Sequence, residues 1–222
     1  MTSSIPVLTI DGPSGSGKGT LSRAVARELG WHFLDSGAIY RALAIAVLRQ
    51  GIDFEDEDKI AALGLAMDLS FTADDPPKVF LAGEDIASEI GKETTGNAAS
   101  RIAQITAVRK ALLDKQLSFR KPPGLVADGR DMGTIVFKDA YRKVFLTASA
   151  EVRAERRLKQ LKDKGLDVTL DSLTQEIEER DKRDRERAVA PLVKADDALL
   201  IDSSHLTIPE VIRQVLEWVH QA

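Results

Sequence analysis

The stretch Gly12-Pro13-Ser14-Gly15-Ser16-Gly17-Lys18-Gly19-Thr20 decides how the rest of the 222-residue chain is read. It follows the β-rich run Val7-Leu8-Thr9-Ile10 and opens a helical pattern, Lys18–Leu29, that Gly30 can close. The glycines permit the positive φ angles and close backbone approach that turn successive N–H groups inward on phosphate oxygens. The positive end of the following helix and the mobile charge of Lys18 strengthen that field. By composition, a G-x-x-x-x-G-K spacing arises roughly 0.06 times in such a chain. Gly12 through Thr20 therefore predict a nucleoside triphosphate site. The residue after Lys18 is Gly19, where a Ser or Thr would ordinarily meet Mg²⁺, and the hydroxyl arrives only at Thr20. No metal ligand is assigned to the protein, and Mg²⁺ is expected mainly on the ATP phosphates.

Outward from the loop, strand and helix patterns alternate. Trp31–Leu34 reads as a strand, Ala38–Gln50 as a helix closed by Gly51, and Leu125–Ala127, Val144–Thr147 and Leu199–Ile201 as three further strands. Ala150–Lys164 reads as a helix with Ser149 at its N-cap and Gly165 at its end. The last helix opens on Thr207-Ile208-Pro209-Glu210, a capping-box spacing with Pro in the first turn. Such alternation predicts an α/β fold of three layers, with a five-stranded parallel sheet between helices.

Two stretches break the rhythm. About ninety residues separate the second and third strands, far more than one crossover needs. Within them, Met67–Phe71 and Lys78–Leu81 read as short antiparallel strands around Asp75-Pro76-Pro77, Gly83-Glu84-Asp85 as a turn, and Asn97–Arg120 as one long helical stretch. The second is Glu151–Arg187, with eleven acidic and eleven basic residues, which alone reads as a solvated helical hairpin.

Composition narrows the classes. Thirty-one Lys+Arg against 35 Asp+Glu leave a net charge of −4, and 5% aromatics offer few stacking platforms, so no nucleic-acid partner is expected. Zero cysteines exclude disulfides, thiolate zinc and a cysteine nucleophile. No apolar run reaches the ~18 residues of a membrane span, and Met1-Thr2-Ser3-Ser4 lacks a signal-peptide pattern. A cytoplasmic protein with no membrane partner is expected. His32, His205 and His220 form no cluster. Neither N-K-x-D nor D-x-x-G occurs in a GTPase arrangement.

A small-molecule kinase needs arginines for phosphate and a means of excluding water. Arg180, Asp184 and Arg187 fall at i, i+4 and i+7 on one helix face, and Arg153, Arg156 and Arg157 cluster on the preceding helix. Taken alone, such arginines read more often as structural ion pairs, and it is the phosphate loop that turns Arg180 and Arg187 toward phosphate.

Asp35-Ser36-Gly37-Ala38-Ile39-Tyr40-Arg41, Asn97-Ala98-Ala99-Ser100, Asp128-Gly129-Arg130-Asp131-Met132-Gly133 and Arg180–Arg187, together with the phosphate loop, resemble bacterial cytidylate kinase in this order. The resemblance spans residues 10 to about 192. It implies a nucleoside monophosphate kinase of the P-loop class, with core segments 1–35, 100–150 and 188–222, an acceptor-binding insert at 36–99 and a helical lid at 151–187. It implies ATP-dependent phosphorylation of CMP and dCMP, by direct in-line transfer, in a monomer. Lys18, Arg130, Arg180 and Arg187 would act on the transferring group, and Arg157 would join the loop on ATP. Ser36, Arg41, Ser100, Arg109, Arg130, Asp131, Arg180, Asp184 and Arg187 would bind CMP, with Arg41 on its phosphate. Ser36 also reads as a helix N-cap. Asp131 would meet the N4 donor of cytosine, from which a carboxylate can accept, while uracil places a carbonyl there. Asp128 either positions Mg²⁺ through water or braces its loop. Two other readings stay open: a kinase for UMP or a non-nucleotide alcohol, and an ATP-binding regulatory module without turnover.

Overall fold

The computed structural model describes residues 5–72, 78–163 and 168–221. In chain order the elements are β1 (Val7–Asp11), α1 (Lys18–Leu29), β2 (His32–Asp35), α2 (Ser36–Gln50), α3 (Glu57–Ala66), β3 (Leu69–Phe71), β4 (Val79–Leu81), β5 (Glu84–Asp85), α4 (Ala87–Ile90), α5 (Glu93–Ile102) and α6 (Thr106–Leu117). They continue with β6 (Leu125–Gly129), a π-helical turn (Met132–Val136), β7 (Arg142–Thr147), α7 (Ala150–Lys162), α8 (Leu170–Glu186), β8 (Leu199–Asp202) and α9 (Ile208–His220). The chain forms two compact units, one of residues Met1–Phe33 with Lys121–Ala222 and one of Leu34–Arg120.

A five-stranded sheet in the order β2-β6-β1-β7-β8 carries the first unit. Its β1–β6, β1–β7 and β7–β8 ladders are parallel, with Ile10 level with Asp128 and with Val144. All five residues of β1 and of β6 are buried, as a central parallel strand covered on both faces requires. Leu8, Ile10, Val126, Val144 and Leu146 from the strands pack against Leu21 and Val25 of α1 and Val211, Val215 and Val219 of α9. The register brings Asp11 and Asp128 to the carboxyl edge of the sheet, where open α/β folds bind ligands. The α7–α8 hairpin has an apolar seam of its own, Ala154, Leu161 and Leu173 with Leu158 and Ile177. Ser149 caps α7 by accepting from the Val152 N–H, and Glu210 reaches back to the Thr207 N–H at 2.8 Å to complete the capping box of α9.

In the second unit, β3, β4 and β5 form a small antiparallel sheet beside helices that bury Ile39, Leu43, Ile60, Ile102 and Leu112. The reading of Gly83–Asp85 as a turn needs amendment, since Ala82 and Gly83 make the turn and Glu84–Asp85 pair as a strand. Asn97–Arg120 is not one helix. Helix α5 starts earlier, at Glu93, and the chain breaks at Ala103-Gln104-Ile105, where the Gln104 N–H bonds Arg101 O and the Ile105 N–H bonds Ile102 O. The Ala103 N–H still bonds Ala99 O, so the α-helical ladder ends in these two tighter turns, and α6 begins at Thr106. Helix α3, capped by Asp56, and the short α4 went unread. The unit extends through α6 to Arg120, past the boundary at 99 drawn for the insert. Asp75–Pro77 and Gly165 lie outside the described residues.

Candidate active site

The phosphate loop leaves β1 at Asp11 and enters α1 at Lys18. A β-carbon on Gly12 would stand 1.9 Å from Leu146 O, so no other residue fits beneath β7. Gly17 occupies the N-cap of α1 with φ 93° and no side-chain cap, which leaves the first N–H groups of the helix to a ligand. Ser16 is 1% exposed, and its Oγ has no hydrogen-bond partner among the described residues. A buried hydroxyl in that condition marks a place for a bound oxygen. Lys18 is buried and curls back, donating from Nζ to Pro13 O at 2.9 Å and standing 4.0 Å from Asp128 Oδ1. Pro13 and Ser14 complete the loop's floor, while Gly15 and Thr20 are exposed.

Asp11 is the residue the sequence reading missed. Its Oδ1 accepts from the Met132 N–H and its Oδ2 from the Gly133 N–H, both at 2.8 Å, which anchors the π-helical turn directly after Asp131. Burial pushes its carboxyl up to about 6, against the two backbone N–H bonds and Lys18, with Asp131 adding to the rise. A carboxylate ending a wholly buried strand must find donors, and that was the available signal.

Three carboxylate–arginine pairs lie along α8 and just past its end. Arg130 Nε bonds Asp184 Oδ2 at 2.9 Å. Burial opposes charge on Arg130, but Asp184, with Asp128 and Asp181, outweighs it and raises the guanidinium above its ordinary range. Asp184 feels the reverse: burial would raise its carboxyl, and Arg130, Arg180 and Arg187 hold it below the ordinary carboxylate value. Arg187 Nη2 stands 3.7 Å from Asp131 Oδ1 in buried surroundings, and its Nε donates to Ala190 O. Arg187 is not on the helix face predicted for it. The helix ends at Glu186, Arg187 is extended (φ −62°, ψ 135°), and Leu192 N–H turns the chain back onto Asp184 O at 2.7 Å. The third pair is Arg153 with Asp181, at 2.6 Å and almost wholly buried. Arg157 lies half-buried on α7.

In the second unit, Ser36 is the first residue of α2 rather than its cap. Asp35 caps, accepting from the Ala38 N–H at 3.0 Å, and Ser36 Oγ donates to Gln116 Oε1 at 3.0 Å inside the unit. Arg41 Nη1 donates to Ile90 O at 2.7 Å and to Lys92 O at 3.4 Å, meeting the carbonyl end of α4. Ser100 is buried on α5, and Arg109 Nη1 donates to Ala103 O at 3.2 Å while its guanidinium stands 6.0 Å from the Tyr40 ring centroid. No helix among the described residues is long and apolar enough to cross a membrane.

A model of the family described as cytidylate kinase matches residues 8–221. The cytidylate kinase of Methylococcus capsulatus (strain Bath) is 63% identical over 219 residues, 99% of this chain and 99% of that protein. That of Vibrio vulnificus (strain YJ016) is 55% identical, covering 99% and 97%, and that of Klebsiella pneumoniae (strain 342) 54%, covering 100% and 98%. With the loop, the aspartates at the sheet edge and the arginines of α8 in these positions, the chain belongs to the cytidylate kinase family.

Proposed function

We propose that the protein transfers the γ-phosphoryl group of Mg-ATP to CMP and dCMP. The observation that carries this reading is the family's full-length match, joined to a phosphate loop whose unit also holds Asp131, Arg130, Asp184 and Arg187 in ion pairs. Gly12–Thr20 and Arg157 are assigned to ATP. Ser36, Arg41, Ser100 and Arg109 are assigned to the acceptor, with Asp131 on the cytosine N4 donor. Incoming phosphate is a better partner for Arg187 and Arg130 than the carboxylates they now face, because it offers more oxygens at higher charge. Lys18 would leave Pro13 O for the β/γ-phosphates.

The acceptor phosphate oxygen attacks in line, so no phospho-enzyme forms. The work of the chain is to align the two phosphates, to neutralise the transferring group with Lys18, Arg130, Arg180 and Arg187, and to keep water out with the α7–α8 hairpin. The oxygen donors at the loop, Asp128 and the Thr20 hydroxyl, suit a hard cation such as Mg²⁺. Bound through the ATP phosphates, that ion supplies charge neutralisation.

A coupled ADP-release assay with CMP, dCMP, UMP and AMP tests the reading. Turnover with CMP and dCMP alone is expected. Turnover only with UMP or AMP overturns the base assignment, and ATP binding without turnover on any of the four overturns the kinase. Asp131→Asn should lower CMP efficiency on the order of 10- to 100-fold and improve the relative UMP rate. Unchanged CMP/UMP selectivity removes Asp131 from base reading.

A further inference from the structure

We propose that Arg153 and Arg156 of α7 are positioning residues that hold the phosphate loop in its anion-binding shape, and that Asp181 of α8 is the buried counter-charge that fixes Arg153 in that task. Arg153 Nη1 donates to Ser14 O at 2.9 Å and its Nε to Ala148 O at 2.9 Å, while Nη1 and Nη2 reach Asp181 Oδ1 and Oδ2 at 3.2 and 2.6 Å. Arg156, three residues on and so on the same helix face, bonds Ser203 O at 2.6 Å and Ser203 Oγ at 3.2 Å, and its Nη1 is 3.5 Å from Ser16 O. Ser203 Oγ stands between Thr147 O at 3.1 Å, the nearer acceptor for its single proton, and Ser16 O at 3.4 Å.

The consequence follows from peptide geometry. A trans peptide is planar, so its C=O and the next N–H point in opposite directions. Holding Ser14 O and Ser16 O toward α7 therefore turns the N–H groups of Gly15 and Gly17 to the opposite side. Those two residues have φ of 76° and 93°, a conformation in which the neighbouring peptides rotate easily unless something holds them. Arg153 also packs its stem beneath the loop, since a β-carbon on Gly15 would lie 3.3 Å from Arg153 Cβ. Only a planar fork bridges Ser14 O, Ala148 O and a bidentate carboxylate at once, which an ammonium cannot do. Asp181 and Asp184 are three residues apart and both buried, so α8 meets the loop's anchor through one and Arg130 through the other.

This inference rests on the reading that the loop holds a triphosphate. The test titrates inorganic tripolyphosphate calorimetrically into the full chain and follows the Gly15 and Gly17 amide resonances. It compares the wild type with Arg156→Ala, Arg153→Lys and Asp181→Asn, and takes Lys182→Ala, an exposed charge on α8, as control. Each anchor variant should lose about tenfold in tripolyphosphate affinity and raise KM for ATP alike, with KM for CMP at saturating ATP within about twofold. The Gly15 or Gly17 amide should shift before any ligand is added, and Arg156→Lys should regain part of the loss. If the Arg153 and Asp181 variants do not fold, the half-buried Arg156 carries the test. Native affinity and a native Gly17 resonance in folded Arg156→Ala overturn the proposal. If the wild type itself ignores tripolyphosphate, the triphosphate reading fails, and the amide resonances alone decide the positioning: shifted supports it, unshifted overturns it.

Discussion

The phosphate loop and the carboxyl-terminal end of α8 lie in one unit, yet they balance charge in opposite ways. Around the loop, charged groups meet mainly backbone dipoles: Asp11 accepts two N–H groups, Lys18 donates to Pro13 O, and Arg153 and Arg156 reach the carbonyls of Ser14 and Ser16, with Asp181 as the counter-charge behind Arg153. At α8, charges meet charges: Arg130 with Asp184 and Arg187 with Asp131. Dipoles belong to the backbone and stay in place when a ligand arrives, which makes the loop a preorganised anion site. Ion pairs exchange partners, so in the proposed reaction Arg130 and Arg187 would pass from carboxylate to phosphate. The first arrangement suits holding a triphosphate, and the second suits releasing a product at each turnover.

Removing the mobile charge of the dipole-built region should do most damage. Lys18→Ala should lower kcat by about 10²- to 10³-fold, the loss typical of one transition-state donor, in the ADP-release assay. A loss under threefold would mean that the backbone N–H groups neutralise the transferring group without it.

Asp11 sharpens the comparison next, through pH. Its folded value of about 6 lies above the ordinary 3.8 because burial penalises the charged form. Between about pH 4 and 6 the folded state then binds more protons than the unfolded, so stability falls as pH rises through that window. The gap corresponds to about 3 kcal/mol at 1.36 kcal/mol per pH unit. Chemical denaturation from pH 4 to 7 should show this decline in the wild type and not in Asp11→Asn. Parallel pH profiles for the two proteins would remove Asp11 as a buried titrating group.

What the sequence made legible was local. Glycine spacing, the Gly51 stop of α2, the Ser149 cap and the Thr207–Glu210 box each involve residues within a few positions of one another, and each stands as read. The misses are long-range. Asp11 finds its donors about 120 residues downstream. The break in Asn97–Arg120 has no local Gly or Pro to announce it and shows only in the i→i−3 bonds at Gln104 and Ile105. Arg187 reaches Asp131 because the chain turns back on Asp184 after the helix ends, which a helical wheel continued past Glu186 does not show. The Arg153–Arg157 cluster was visible, but the acceptors of Arg153 and Arg156 include backbone carbonyls, which have no side-chain signature to pair with in sequence.

The α8 side of the comparison is broken most gently at Asp184. Three arginines, Arg130, Arg180 and Arg187, hold its carboxyl below the ordinary value, against burial. The stability it contributes is therefore fully present above the ordinary carboxylate value near 3.8 and is lost as pH falls below it, the reverse of Asp11 in both sign and window. Asp184→Asn keeps the shape and one acceptor for Arg130 Nε but removes the charge, and at pH 7 it should cost about 1.5–3 kcal/mol, the range for a hydrogen bond to an ionised group. Its deficit relative to the wild type should shrink as pH falls below about 3.8, where the unfolded carboxylate takes up protons that the folded one resists. The same variant should raise KM for CMP while leaving tripolyphosphate binding native, because the loop's dipoles are untouched. If tripolyphosphate affinity falls together with KM for CMP, the two regions are not independent and the Asp181–Asp184 face of α8 couples them.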